Sequence, residues 1–466
     1  MYNRRNFLKV IAGTSMSLAV SGCQVGKKLS AECRRPNIIY IMADDLGYGD
    51  LGCYGQKAIK TPNIDKMAAE GMLFTDHYAG NTVCAPSRCI LMTGMHGGHS
   101  QVRRNKEFKP MGQMPLKPGT QTVARLLQKG GYKTALIGKW GLGGPDSVGI
   151  PQKQGFDYFF GYLCQRHAHN YYPEFIFRNE EMIPLKGNKN SVKTEDGSGI
   201  ASERAQYVPD LCIDEVMKFI DRNSSKPFFL YYSPTIPHAN NEAGIKGMEV
   251  PSLGQYADKD WPEPQKGCAA MISRLDQQVG DIIKKLKDLN LDNDTIIMFT
   301  SDNGPHGEGG NNPRFNKSSG PLRGFKRDLY DGGIRVPLIV RFPGKVASNT
   351  KTGHVSAFWD FLPTACDVAG VKAPSNIDGI SYLPTLLGKD KKQVQHDYLY
   401  WEFYSKRAAR MGNWKAVANS GNGQIELYNL ENDIAEANDV AGKYPEITAK
   451  MGKIIKEAHV DAPDAD

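Results

Sequence analysis

Asn37-Ile38-Ile39-Tyr40-Ile41-Met42, closed almost at once by Asp44-Asp45, is the stretch on which the fold turns. Its apolar run reads as a buried strand, and the two carboxylates directly beyond it stand where an α/β sheet presents its ligands. Outward from it, short apolar runs alternate with amphipathic helical stretches, which predicts an α/β domain. Further strands are expected over 133–137, 228–232, 295–300 and 336–340, and helices over 61–71, 122–128, 268–289 and 358–369. Thr61-Pro62 supplies an N-cap with proline at the first helical position, and Gly71 a stop. From about residue 390 the pattern changes to short strands over 398–403, 408–411, 414–418 and 425–427, then a helix over 444–458.

The chain has 466 residues, enough for a large core and more than one structural unit, and no repeat or low-complexity block. Its formal net charge of +8 is modest for that length and compatible with an anionic substrate. No basic run interleaved with aromatics suggests nucleic acid. The first 23 residues stand apart. Arg4-Arg5-Asn6-Phe7-Leu8-Lys9 looks like a twin-arginine export signal, and the apolar run 10–20 is too short for a permanent membrane span. Val20-Ser21-Gly22-Cys23 resembles a bacterial lipobox, with lipidation expected at Cys23 and simple cleavage as the alternative. The expected organisation is a leader over 1–23, a polar tether over 24–35, a catalytic domain over 36–389 and a C-terminal subdomain over 390–466. Localisation follows: an exported protein of the bacterial periplasm or an outer-membrane lipoprotein, anchored only through lipid. Nine cysteines without a CxxC pair argue against a dense disulfide framework or a thiolate zinc site, and one or two disulfides stay open.

Chemistry concentrates in a few places. Asp44 and Asp45 follow the first strand, and Asp302 and Asn303 follow the 295–300 strand, so four side chains could converge outside strand carboxyl ends. Three carboxylates and a carboxamide form a hard, oxygen-only donor set, suited to Ca²⁺ or Mg²⁺ rather than zinc. Lys139 and His238 also lie just past strands, and Lys326 precedes Asp331-Gly332-Gly333. Cys84-Ala85-Pro86-Ser87-Arg88, continued by Met92-Thr93-Gly94, suits a helix start that favours anions, with a permanent cation beside it.

The spaced Cys84, Pro86, Ser87 and Arg88, with Thr93-Gly94 after them, resemble the signature of the formylglycine-dependent sulfatases of the alkaline phosphatase superfamily, bacterial carbohydrate type. The resemblance runs from Pro36 to about Lys453. It implies a large mixed-sheet α/β domain with a small C-terminal antiparallel sheet plus helix. It further implies that a maturation enzyme oxidises Cys84 to formylglycine, whose hydrate attacks the sulfur of a sulfate ester. On a twin-arginine route this oxidation would precede export. The metal would be Ca²⁺ in preference to Mg²⁺, held by Asp44, Asp45, Asp302, Asn303 and the modified Cys84. Arg88, Lys139 and Lys326 would clamp sulfate oxygens, Asp302 would accept the hydrate's proton, and His238 would protonate the leaving oxygen.

Three positions depart from the pattern: Met92 where Leu is usual, Asp331 where Glu is frequent, and Gly141 where many relatives carry the histidine that contacts the hydrate. His167 and His169, in a ring-rich run, are the expected substrate-binding substitutes, with His306 and Glu308 weaker candidates. The stretches 155–162 and 320–324 resemble members acting on sulfated galactose or N-acetylgalactosamine. Two alternatives stay open: a phosphomonoester or phosphodiester hydrolase of the same superfamily, and a catalytically silent binder of sulfated glycan.

Overall fold

The computed structural model describes residues 35–420 and 423–461. The expected leader, the Cys23 lipobox and nearly all of the tether lie outside the described residues. No helix among the described residues is long and apolar enough to cross a membrane.

The opening stretch forms the central strand Asn37–Ala43 of a ten-stranded mixed sheet. It pairs in parallel with Thr295–Ser301 on one side and Phe228–Ser233 on the other. Lys133–Lys139 and Tyr158–Tyr162 extend the parallel run, and two antiparallel strands, Phe175–Arg178 and Glu181–Pro184, finish that edge. Beyond Thr295–Ser301 the antiparallel Leu338–Arg341 leads to Met72–Phe74 and Thr350–Thr352.

Period-two alternation feeds two separate cores. Ile38, Tyr40 and Met42 pack on one face with the helices Cys84–Thr93, Val123–Lys129 and Phe361–Ala369. Ile39, Ile41 and Ala43 pack on the other with Pro62–Ala69, Val208–Arg222 and Glu263–Asp288. The last of these begins five residues before the apolar periodicity suggested, because Pro262 and Pro264 set its first turn. The seven described cysteines are all free, so none of them forms a disulfide.

The C-terminal residues form the antiparallel sheet Leu399–Phe403, Lys406–Met411, Trp414–Ala418 and Ile425–Asn429, covered on one face by the helix Pro445–Glu457. Its other face, through Trp401, Ala408, Val417 and Tyr428, joins the larger core of the main sheet. Trp401 Nε1 also donates to Ala79 O, five residues before the helix that starts at Cys84. The small sheet thus buttresses the catalytic end directly.

Candidate active site

Register builds the site. Ala43 stands opposite Ser301 in the parallel ladder, so the next residues of both strands emerge side by side. Asp45 N donates to Asp302 Oδ1 at 3.0 Å, and Asn303 Nδ2 donates to Asp45 Oδ1 at 2.6 Å. Asp45 takes a left-handed φ of 65°, a conformation that short polar side chains tolerate. Asp44, Asp45, Asp302 and Asn303 are all buried.

The nucleophile helix begins at Cys84 itself, after an extended Val83, and every residue in it is buried. Ser87 pins it to the metal-type loop by donating to Asp302 O at 2.6 Å, and Asn105 accepts from Ala85 N at 3.0 Å. The Cys84 sulfur lies 3.4 Å from Asp44 Oδ1 and 3.5 Å from Lys139 Nζ. Lys139, the last residue of its strand, bonds Asp44 Oδ2 at 2.7 Å. Lys326 Nζ reaches Asp45 Oδ2 at 2.8 Å, Glu308 Oε2 at 3.0 Å and His238 Nε2 at 3.1 Å. The expected residues Cys84, Lys139, Lys326, His238 and the four oxygen donors therefore share one cluster. Arg88 joins it too. Its guanidinium is wholly buried, donating to Asp302 Oδ2, Lys139 O and Ser233 Oγ, so it braces the strand ends, while its Nε is left without a partner.

Electrostatics follow from that packing. Burial drives the Cys84 thiol well above its ordinary range, reinforced by Asp302 and Asp44 and opposed by Lys139. A protonated, enclosed thiol is a poor nucleophile. Burial also pushes Asp302 up to about 7, with Asp44 adding to the effect and Arg88 opposing it. Asp44 feels the same burial, yet Lys139, His238 and Arg88 hold it well below the usual carboxylate range. Burial and the adjacent Lys326 lower His238 to about 3. Its Nδ1 meets Ala239 O at 2.6 Å and so carries the proton, leaving Nε2 to accept from Lys326.

The donor set fits a hard divalent cation. Asn303 Oδ1 is buried without any hydrogen-bond partner, an acceptor oxygen left over beside the carboxylates of Asp44, Asp45 and Asp302. Asp44, Asp45, Cys84 and His238 each offer a ligand atom within 4.8 Å of the others. The oxygens of Asp44, Asp45, Asp302 and Asn303 would hold the ion, which would relieve the carboxylate crowding that raises Asp302.

Of the two expected histidine substitutes, the structure brings one. His169 stacks face to face on His238, centroids 5.0 Å apart, and His306 stacks on His238's other side at 5.8 Å. Glu242 holds His169 through Nδ1 at 3.1 Å. His167 does not reach the cluster, which corrects the sequence reading. Its ring is wholly buried against Tyr162 and Phe175 with Nε2 on Phe175 O, because alternation along the short 3₁₀ turn His167–His169 points it into the core.

At Gly141, φ is +78°, and an added Cβ would lie 2.7 Å from Gln165 Nε2. The Gln165 amide thus fills the space a side chain there would need. Sequence reasoning missed Gln165, Asn105, Ser233 and Glu242. They sit in separate segments, Ser233 at a strand end and Glu242 in a 3₁₀ turn, with no motif between them, and only tertiary packing assembles them.

Comparison with known proteins agrees with this geometry. The family model described as Sulfatase matches residues 36–371, and that of the N-sulphoglucosamine sulphohydrolase C-terminal region matches 324–461. Arylsulfatase G of Rattus norvegicus is 30% identical over 98% of this chain and 93% of its own. The N-acetylgalactosamine-6-O-sulfatase of Bacteroides thetaiotaomicron is 29% identical over 98% of this chain and 99% of its own. A solved B. thetaiotaomicron structure, described under metabolism of multiple glycosaminoglycans, superposes with TM-score 0.75 at 26% identity, covering 91% of this chain and 99% of that one. The structure of Ps i-CgsB with k-i-k-neocarrahexaose gives 0.76 at 27% identity, covering 93% and 94%.

Proposed function

The chain belongs to the sulfatase family and is a sulfuric ester hydrolase, and from that premise we propose that it removes sulfate from carbohydrates with position 84 as formylglycine and Ca²⁺ in the oxygen cluster. Sulfated N-acetylgalactosamine or galactose is the proposed sugar, in keeping with the names of its relatives. We further propose export through the twin-arginine route after oxidation of Cys84 by a maturation enzyme. The protein would then reside in the periplasm or be anchored at the outer membrane through lipid on Cys23.

The observation that carries the reading is Cys84: a buried sulfur at a helix start, between Asp44 and Lys139, with its own thiol chemistry suppressed. With the aldehyde hydrate and cation in place, the site would acquire an oxygen nucleophile and a counter-charge for sulfate. The chain's own residues do the rest. Lys139 and Lys326 supply positive charge on two sides of the reacting group, where negative charge builds. Asp302, bonded to Asp45 N and Arg88 at the strand end, would accept the hydrate's proton. Lys326 Nζ donates to His238 Nε2, so the proton for the leaving oxygen comes from this Lys326–His238 pair and not from a free imidazolium. Arg88 keeps Asp302 and the Lys139 backbone in register.

Mass spectrometry of the peptide carrying position 84, together with a screen of matured protein against regio-defined sulfated monosaccharides, tests the reading. Conversion at 84 with release of sulfate from a galactosamine or galactose sulfate is expected. Preference for aryl phosphate over aryl sulfate would overturn it.

A further inference from the structure

The segment 309–327 carries five cations, Arg314, Lys317, Arg323, Lys326 and Arg327, and no carboxylate. Two belong to the site: Lys326 as described, and Arg327, which pairs with Glu308. Arg323 is committed elsewhere, stacked 3.8 Å from the Tyr330 ring and donating to Tyr428 Oη and Glu436 O. Arg314 and Lys317 remain. Both are exposed, and neither meets a carboxylate among the described residues. Arg314 lies over the half-buried Phe325 ring at 5.3 Å. With Arg323, Phe325 and Asp328 these two cations line an open cavity of about 670 Å³.

Topology places this cavity at the catalytic end. The segment leaves the carboxyl end of the Thr295–Ser301 strand, as Asp302 and Asn303 do, and Phe325 immediately precedes Lys326. Gly49, in the loop after Asp44-Asp45, donates to Ser318 O at 2.7 Å. A Cβ on Gly49 would lie 2.4 Å from Gly320 N and 2.5 Å from Lys317 O, so the two backbones are locked together. Gln56 Nε2 adds a bond to Asn316 O at 2.9 Å. The result is a basic shelf fixed to the loop that follows Asp44-Asp45 and joined through Phe325 to Lys326.

We propose that this shelf binds a second sulfate, carried by a sugar next to the one being desulfated, so that the preferred substrate is a multiply sulfated oligosaccharide or polysaccharide. This rests on the carbohydrate sulfatase reading above. Arg314 offers a planar fork to the sulfate, Lys317 a point charge, and Phe325 an apolar face for the sugar ring. Two otherwise unpaired cations at the catalytic end also draw in a polyanion, an attraction that salt weakens.

The test is the double variant Arg314→Gln with Lys317→Asn. Asparagine is chosen because Lys317 sits at φ +52°, which Asn tolerates. The probes are a sulfated N-acetylgalactosamine monosaccharide and a galactosamine-containing tetrasaccharide sulfated on each galactosamine. In matured protein, kcat/KM on the monosaccharide should stay within about 2-fold, while KM for the tetrasaccharide rises about 10-fold and loses most of its salt dependence. Equal change on both probes, or on neither, overturns the shelf. Calorimetric binding of the tetrasaccharide to Cys84→Ala protein separates the two readings. Binding weakened about 10-fold by the double variant supports the shelf even if no sulfated sugar is hydrolysed, an outcome that overturns only the catalytic reading. Binding unaffected by the double variant overturns the shelf alone.

Discussion

Two clusters of buried charge sit at opposite ends of the segment 302–331, and they are built to opposite ends. In the structural one, Asp331 accepts from Lys415 at 2.6 Å, from Tyr78 at 3.0 Å and from Arg335 at 3.1 Å. Glu436 accepts from Asp331 N at 2.6 Å and lies 2.9 Å from Lys415, while Arg410 ties Asp76 and Tyr78 to the small sheet. This network clips the C-terminal sheet to the main domain, with direct polar partners for every carboxylate in it. The cluster around Cys84 also gathers buried charge but leaves Asn303 Oδ1 without a hydrogen-bond partner and encloses a sulfur among carboxylates and lysine. Completion within the chain yields a clamp, whereas a remainder that only an added ion and substrate can satisfy yields a site.

Substitutions can break or sharpen that contrast. The largest effect is expected at Cys84: Cys84→Ala should lower sulfate release by at least about 10⁴-fold with thermal unfolding little changed, since no other group supplies the nucleophile. Measurable turnover in that variant would remove the catalytic cluster's premise. Lys415→Met should do the reverse. It leaves buried Glu436 without its cation and Asp331 with Arg335 alone, and should cost about 3–5 kcal/mol in denaturant unfolding, while activity per folded molecule survives. Lys139→Ala should reduce kcat by about 10²–10³-fold, the cost of removing one preorganised donor, with a smaller stability change read by calorimetry.

Chelation should abolish activity and lower the unfolding temperature. Asn303→Ala should weaken cation affinity about 10-fold, read by titrating Ca²⁺ back into apo-protein. The smallest effect concerns pH. Burial, and then Asp331, raise the folded-state pKa of Glu436 from 4.5 to about 7. The folded state there keeps a proton that the unfolded state releases, so stability from this group falls as pH rises between those values. Glu436→Gln should flatten that slope in thermal unfolding; an unchanged slope would mean that Lys415 neutralises both carboxylates at once.

Much of this was legible in the chain because the information is local. Continuous apolar runs marked the central strands, and the Asp pair and the Asp-Asn pair at their ends marked the oxygen donors, since a strand end fixes where the next side chain emerges. The Cys84 signature marked the nucleophile helix. The His167 and His169 pair shows where that kind of reading stops. Two histidines two residues apart carry equal weight in sequence, yet a single 3₁₀ turn buries one against Phe175 and stacks the other on His238. Gln165 carried no signal at all, because its relation to Gly141 exists only where Gly141 N bonds Leu163 O, just past the pairing of Lys139 with Tyr162.

By itself, then, the chain determined its family, its α/β alternation and the placing of its Asp pairs and Cys84 at strand and helix ends, all properties of residue type and short spacing. Tertiary structure alone decided that Arg88 braces two strand ends, which histidine meets the site, what fills the space at Gly141, and that the small sheet shares the main core. Each of these depends on contacts between segments tens to hundreds of residues apart, where packing and register, not local preference, choose the partner.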